Sequence, residues 1–334
     1  MKWLLLCMML WVLTCTGCTA LPAEERSFAV ALAVSGEEGA WTVHARIPTY
    51  QSGGGYATVS GEGDTVSHAL AALDAASPLQ LHLGQTRLLV FPADVARSEA
   101  FPAVLTSLRE RDDLRPQAAL AVTESSAAQV MDALTPATGQ RLSKSLDALL
   151  ETRVREGTAL SATLAELHLM GERQQAALMN LSLEDGAVSI AGSWPMGADG
   201  RVTQPLTPQE TQLLSLMLGR MKSGTLSLTE GVLQLTEATA DVELLLPTMQ
   251  QAAVRLQLRV KASSLTEDAI AQAVASACLG VLGRLSVMGC DALGLARQAI
   301  THVEDMREWQ EADWSARYRD MAWTVSVGVE GATQ

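Results

Sequence analysis

Residues 86–122 read TRLLVFPADVARSEAFPAVLTSLRERDDLRPQAALAV, and the order of patterns inside this stretch decides the fold class. The opening TRLLVF is a short, nearly continuous apolar run, the pattern of a strand covered on both faces. Phe101, Val104, Leu105 and Leu108 then recur at helical spacing, and QAALAV returns to a strand. Upstream, SFAVALAV (27–34), TVHARIP (42–48) and LQLHLG (79–84) read as further strands. Between them Val66, Ala69, Leu70 and Leu73 mark a helix that Asp64 or Thr65 caps. Alternating strands and helices predict an α/β layer.

Working toward the C-terminus, residues 136–156 read as a polar helix linking this layer to the rest. SIAGSWP and RVTQ flank Asp199-Gly200, a hairpin signal. Thr207-Pro208-Gln209-Glu210 is a capping box with proline in the first turn, predicting a helix to about Lys222. DVELLL (241–246) and VRLQLRVK (254–261) alternate with opposite charges outward, which predicts an antiparallel hairpin pairing Val242 with Leu258 and Asp241 with Arg259. Thr266 caps a long helix with Ile270, Val274, Ala277, Val281, Leu282 and Leu285 inward, and AWTVSVGVEG (322–331) closes the chain as a strand. The whole is an α+β protein, multi-domain, with antiparallel and mixed sheets flanked by helices.

The N-terminus reads as an export signal. Lys2 precedes the apolar run WLLLCMMLWVL (3–13), too short for a bilayer core that needs about 20 residues. Thr16-Gly17 then leads into Cys18, similar to the lipobox of bacterial lipoproteins, in which that cysteine is lipidated and becomes the first residue. Cys15 follows Thr14, where that motif wants a smaller residue, so Cys18 is the expected attachment point. The predicted divisions are a signal over 1–17, a tether over 18–27, an N-terminal α/β region over 28–186 (with 28–135 and 136–186 as possible subdomains) and a C-terminal domain over 187–331.

Composition narrows the function. Hydrophobic residues make up 48% and charged ones 18%, enough for a large core. The net charge of −13 and the scarcity of Phe and Tyr, three of each, argue against a nucleic-acid surface. Beyond the signal only Cys278 and Cys290 remain; a helix continuing between them would hold them about 18 Å apart, so they are expected as buried free thiols. The histidines His44, His68, His82, His168 and His302 are scattered, and His82 alternates to the solvent side of its strand. QSGGGYATVSGEGDT (51–65) lacks the lysine of a phosphate loop and is expected as a mobile loop. Glu184-Asp185 and Asp112-Asp113 are expected in turns. Trp309, Trp314 and Tyr318 fit core packing better than a binding patch. No metal, cofactor or catalytic constellation stands out. A solute-binding lipoprotein of an envelope transporter is one reading of an exported α/β chain; it needs two similar lobes around a cleft, and no matched halves appear.

GCDALGLARQAITHVEDMREWQEADWSARYRDMAWTVSVGVEGATQ (289–334) carries Asp291-Ala-Leu-Gly-Leu after a long helix, Trp309, Trp314, Tyr318 and an alternating final strand. With GEGDTVSHALAAL (61–73), LHLGQTRLLVFPADVARS (81–98) and the lipobox, this ordered set resembles the C subunits of spore-germination nutrient receptors, the Ger(x)C or GerAC-like lipoproteins. It departs from them in Thr19-Ala20 after the cysteine and in VSGEEG (34–39) after the first strand. The resemblance implies a three-domain mixed α/β fold without cofactor or catalytic residues. It also implies a diacylglyceryl anchor on Cys18 holding the protein to the outer face of the spore inner membrane, beside integral-membrane A and B subunits.

Overall fold

The computed structural model describes residues 25–331 apart from 50–54, 138, 171–176, 230, 246–248, 262–264, 304–306, 308 and 310–312. The signal sequence and Cys18 therefore lie outside the described residues. Strands β1 (Arg26–Phe28) and β2 (Ala31–Glu37) divide the run expected as a single strand. The division comes where Ala29 N–H turns to His82 O and Val30 N–H to Arg46 O, at 3.1 and 2.9 Å. Arg26 and Ser27, assigned by sequence to the tether, already belong to β1.

Strands β3 (Ala40–Thr49) and β4 (Gly55–Gly63) follow as antiparallel neighbours. The second corrects the mobile-loop expectation for 51–65, whose residues 51–54 lie outside the described set. Its glycines serve a packing need: a Cβ on Gly61 would overlap the backbone of Leu73 and Ala69, and one on Gly63 would stand 2.5 Å from Ala69 N. Helix α1 (Val66–Ala76), capped by Thr65, can thus lie directly on the strand, burying Val66, Ala69, Leu70 and Leu73. Next come β5 (Gln80–His82), β6 (Leu88–Pro92), α2 (Ala93–Arg97), α3 (Phe101–Arg109) and β7 (Ala119–Thr123). Helices α4 (Ala127–Ala133), α5 (Leu142–Arg155) and α6 (Leu164–Met170) lead to the hairpin β8 (Ala177–Glu184) and β9 (Ala187–Pro195).

These strands, other than the parallel pair β1-β5, form a seven-stranded mixed sheet in the order β4-β3-β2-β6-β7-β8-β9. Its centre, β2-β6-β7-β8, is parallel. Alternate side chains enter different cores: Leu89, Phe91, Leu120 and Val122 meet α1 and α3, while Leu88, Val90, Ala119 and Ala121 meet α4 and α5. Helices cover both faces, which is why LLVF reads as an unbroken apolar run. The described residues of 136–186 are built into this sheet, since α5 packs under it and β8 pairs with β7. The boundary expected between 186 and 187 falls in the tight turn of the β8-β9 hairpin, where Asp185 and Gly186 take positive φ. The change of sheet comes after Pro195. Asp199-Gly200 does sit in a tight turn, closed by Gly200 N–H on Gly197 O at 3.1 Å, but RVTQ contributes one isolated bridge, Val202 to Met196, and no strand.

The second sheet follows α7 (Pro208–Met217), whose Thr207–Glu210 capping box is present in full. The helix stops before the expected Lys222, with Gly219 in the left-handed region. Strands β10 (Gly224–Leu228), β11 (Gly231–Leu245) and β12 (Gln251–Val260) form an antiparallel meander. The expected β11-β12 hairpin is there with a different register: Val242 faces Val254 and Asp241 faces Arg255. Side-chain period fixes only the parity of a register, and the connection that brings Leu245 opposite Gln251 sets the rest. The charge complementarity survives, with Arg255 bridging Asp241 and Glu243 at 2.8 and 2.6 Å and Arg259 paired to Glu237.

Helix α8 (Glu267–Met288), capped by Thr266, packs Ile270, Val274, Cys278, Val281, Leu282 and Leu285 against this sheet. Cys278 takes the inward place expected of Ala277, which is only partly buried. Short helices α9 (Ala296–Ala299) and α10 (Trp314–Arg319) then bring the chain to β13 (Ala322–Glu330), parallel to β12. On α8, Gly280 and Gly283 have open space where a Cβ would point. Gly280→Ala should raise stability by about 1 kcal/mol, the helix-propensity difference, seen as a higher urea midpoint at unchanged slope.

Candidate functional site

Among the described side chains the histidines do not converge. His44 on β3 hydrogen-bonds Ser60 Oγ at 2.6 Å and Ser35 Oγ at 3.3 Å, and burial lowers its pKa, so the neutral ring ties three strands together. His68 pairs with Asp64. His82 is half-buried against Phe28, ring centroids 5.3 Å apart, and its Nδ1 accepts the Gly84 N–H at 3.1 Å. His168 lies on α6 and His302 in a 3-10 turn. Among the described residues no three His, Cys, Asp or Glu side chains gather as a metal site would need. Asp112-Asp113 sits in a turn, Asp113 held by both arms of Arg111 at 2.8 and 2.7 Å, whereas Glu184 ends β8 and only Asp185 lies in the turn.

The chemistry-bearing residues that do converge lie beyond α8. Gly289 ends that helix at φ +66°, so the helix does not run on between the two cysteines. Cys290 and Asp291 turn inward. Asp291 is 0% exposed, yet each acceptor oxygen is used: Oδ1 accepts from Leu295 N–H at 2.9 Å, and Oδ2 from Ala296 N–H at 2.6 Å and Trp314 Nε1–H at 3.1 Å. Two of these donors belong to the start of α9, whose N–H groups have no partner within the helix. Burial pushes the Asp291 pKa up to about 6 in spite of the donors. At neutral pH it is a buried carboxylate.

Trp314 leads from it into an aromatic cluster. Trp314 stacks on Trp309 at 5.6 Å, and Tyr318 meets the Trp323 ring edge-on at 5.7 Å. Trp323 Nε1–H reaches Ser286 Oγ on α8 at 2.9 Å. Trp309, Trp314 and Tyr318 are thus core residues and not an exposed patch. The Tyr318 hydroxyl is wholly buried and finds no hydrogen-bond partner among the described residues; burial and then the Asp291 charge push its pKa up. Burial also raises Cys290 to about 11 and Cys278 to about 12, so both are protonated free thiols. A carboxylate with its acceptors occupied and no exposed surface holds elements together: it joins the α8 exit, α9 and α10, with β13 held to the same cluster through Trp323.

The burial of Asp291 is not expected from the sequence. The available signal was an aspartate five residues ahead of a short helix, inside an otherwise apolar segment. Arg46 was missed likewise: nearly buried on β3, it donates to Leu134 O at 3.2 Å and Asp132 O at 3.1 Å, satisfying carbonyls at the end of α4.

Residues 21–178 match the family described as the spore germination protein N-terminal domain. Among solved structures, the crystal structure of the GerBC protein shares the fold with a TM-score of 0.58 at 13% identity, over 90% of this chain and 97% of that one. No curated protein matches the sequence.

Proposed function

We propose, on the premise that this chain is a GerAC-like spore-germination protein, that it is the lipid-anchored C subunit of a nutrient receptor on the outer face of the spore inner membrane. The observation that carries the reading is the family match over residues 21–178, which begins just after Cys18. The mixed α+β architecture shared with GerBC across both sheets supports it. In this reading Cys18 carries the diacylglyceryl group, and the folded body assembles with two integral-membrane subunits without performing chemistry of its own. One acyl chain holds a protein only marginally while two or three hold it firmly, so the anchor alone suffices to keep the body at the membrane. The closed environment of Asp291 accords with a structural part for the best-formed polar cluster.

The expected outcome for Cys18→Ala is transfer of the protein from the spore membrane fraction to the soluble fraction, or retention of an uncleaved signal, with the folded body unchanged by circular dichroism. A variant that stays on the membrane with a processed N-terminus would overturn the assignment of Cys18.

A further inference from the structure

The four-stranded sheet ends in β13, which pairs with β12 over all nine of its residues without a break in register. Ala322 N–H bonds Gln250 O at 2.9 Å, so the even-numbered residues turn their peptide groups to β12. Trp323, Val325, Val327 and Val329 turn theirs the other way, and among the described residues these backbone groups have no hydrogen-bond partner. The strand lacks the proline, lysine or bulge that blunts an exposed edge. Its inward side chains are also short of cover. Val254, Leu256 and Leu258 on β12 are buried, whereas Val325, Val327 and Val329 directly beside them are only half-buried. The apolar layer packed on α8 thus runs out to the edge, where a further strand with inward apolar side chains would cover it.

The outward face narrows the choice of strand. Glu237, Arg259 and Glu330 stand side by side on β11, β12 and β13 with alternating sign. Glu330 is last in the row, its side chain 73% exposed and 3.5 Å from Arg259. Glu267, at the start of α8, accepts the Gly331 N–H at 3.1 Å and adds a second carboxylate at that end. A lysine or arginine on the next strand continues the alternation, whereas an acidic residue would stand beside Glu330. Neither β13 itself nor residues 18–25 contain a basic residue, so a second copy pairing through the same strand, or the chain's own tether, lacks the required charge. At Gly328 the missing side chain leaves room for Gln257, whose Oε1 lies 2.1 Å from where a Cβ would stand, so this carboxamide leans across β13 toward the same edge.

We propose that the edge of β13 takes up an extended segment of another protein as a fifth strand of this sheet. The segment alternates apolar side chains on the α8 side with polar ones outward, and places a lysine or arginine opposite Glu330. Main-chain hydrogen bonds to Trp323, Val325, Val327 and Val329 supply the affinity, and the side-chain alternation and the single charge supply the specificity.

The test uses the full chain in detergent micelles and two fluorescein-labelled peptides, Lys-Val-Thr-Val-Ser-Val-Thr-Val and its reverse. They place lysine opposite Glu330 in an antiparallel or a parallel strand. One of them should bind saturably by fluorescence anisotropy, with a Kd below about 1 mM. Binding should be lost in Val327→Pro, which removes an N–H of the free edge and none of the β12 ladder, so the wild-type circular dichroism should persist. Glu330→Lys should weaken binding of the lysine peptide about tenfold and favour a peptide with glutamate in its place. Hydrogen exchange on the wild type gives a reading that needs no variant: the amides of residues 323, 325, 327 and 329 should exchange about tenfold more slowly with the peptide bound. Binding that survives Val327→Pro in the folded protein, indifference to the charge at position 330, or unchanged exchange at the four amides would overturn the proposal. So would failure of both peptides to bind, or a dimer in sedimentation that Val327→Pro dissociates.

Discussion

Asp291→Ala is expected to destabilise the protein by about 3 kcal/mol. The substitution leaves the N–H groups of Leu295, Ala296 and Trp314 buried without an acceptor, and each such group costs about 1 to 3 kcal/mol. Release of the carboxylate from its buried position offsets part of that total. Asp291→Asn keeps the shape and one acceptor but turns an NH₂ toward a donor, so it should cost less. The pH dependence separates a charge effect from a packing effect. The folded carboxyl has a pKa near 6 against an ordinary value of 3.8, so between these the native state binds a proton that the unfolded chain releases. Stability from this group is therefore present at low pH and lost as pH rises through 6. Going from pH 7 to pH 5, wild type should gain on the order of 1 kcal/mol relative to Asp291→Asn, read by urea unfolding followed through tryptophan fluorescence. Equal pH profiles for the two proteins would show that Asp291 does not titrate in this range.

Gly61→Ala should cost about 3 kcal/mol, the upper end for overpacking, because the new Cβ meets backbone atoms of α1 and not a movable side chain end. Helix α1 has to lift off β4, exposing Leu70 and Leu73, which are otherwise buried. The same change at Gly280 meets open space and is expected to stabilise. Opposite signs from one substitution would show that the glycines of β4 are there for contact, while those of α8 are not required by the fold. A small effect at Gly61, within about 0.5 kcal/mol of zero, would mean that α1 sits further from the strand than described.

What the sequence made legible was local. The stripes of α1, α3 and α8, the caps at Thr65, Thr207 and Thr266, and the alternation of β12 and β13 each depend on neighbours within a few residues, and each appears in the structure. What was hidden depends on distant contact. Glycines at 61 and 63 signal a loop until α1 is known to lie on them. The turn at 185–186 resembles a domain break until β8 and β9 are seen to pair in the first sheet. The β11-β12 register was ambiguous because an even shift preserves every face. The burial of Asp291 is hidden because one of its donors comes from residue 314, and no local pattern announces that Trp314 returns to it.

The central claim is an anchored subunit of a membrane complex, and isolation of the full-length chain from detergent-solubilised spore inner membranes tests it most directly. Intact-mass and subunit analysis should find a lipid-modified Cys18 as the first residue and two integral-membrane subunits in stoichiometric amounts. A water-soluble protein with an unmodified N-terminus and no membrane partners would contradict the account.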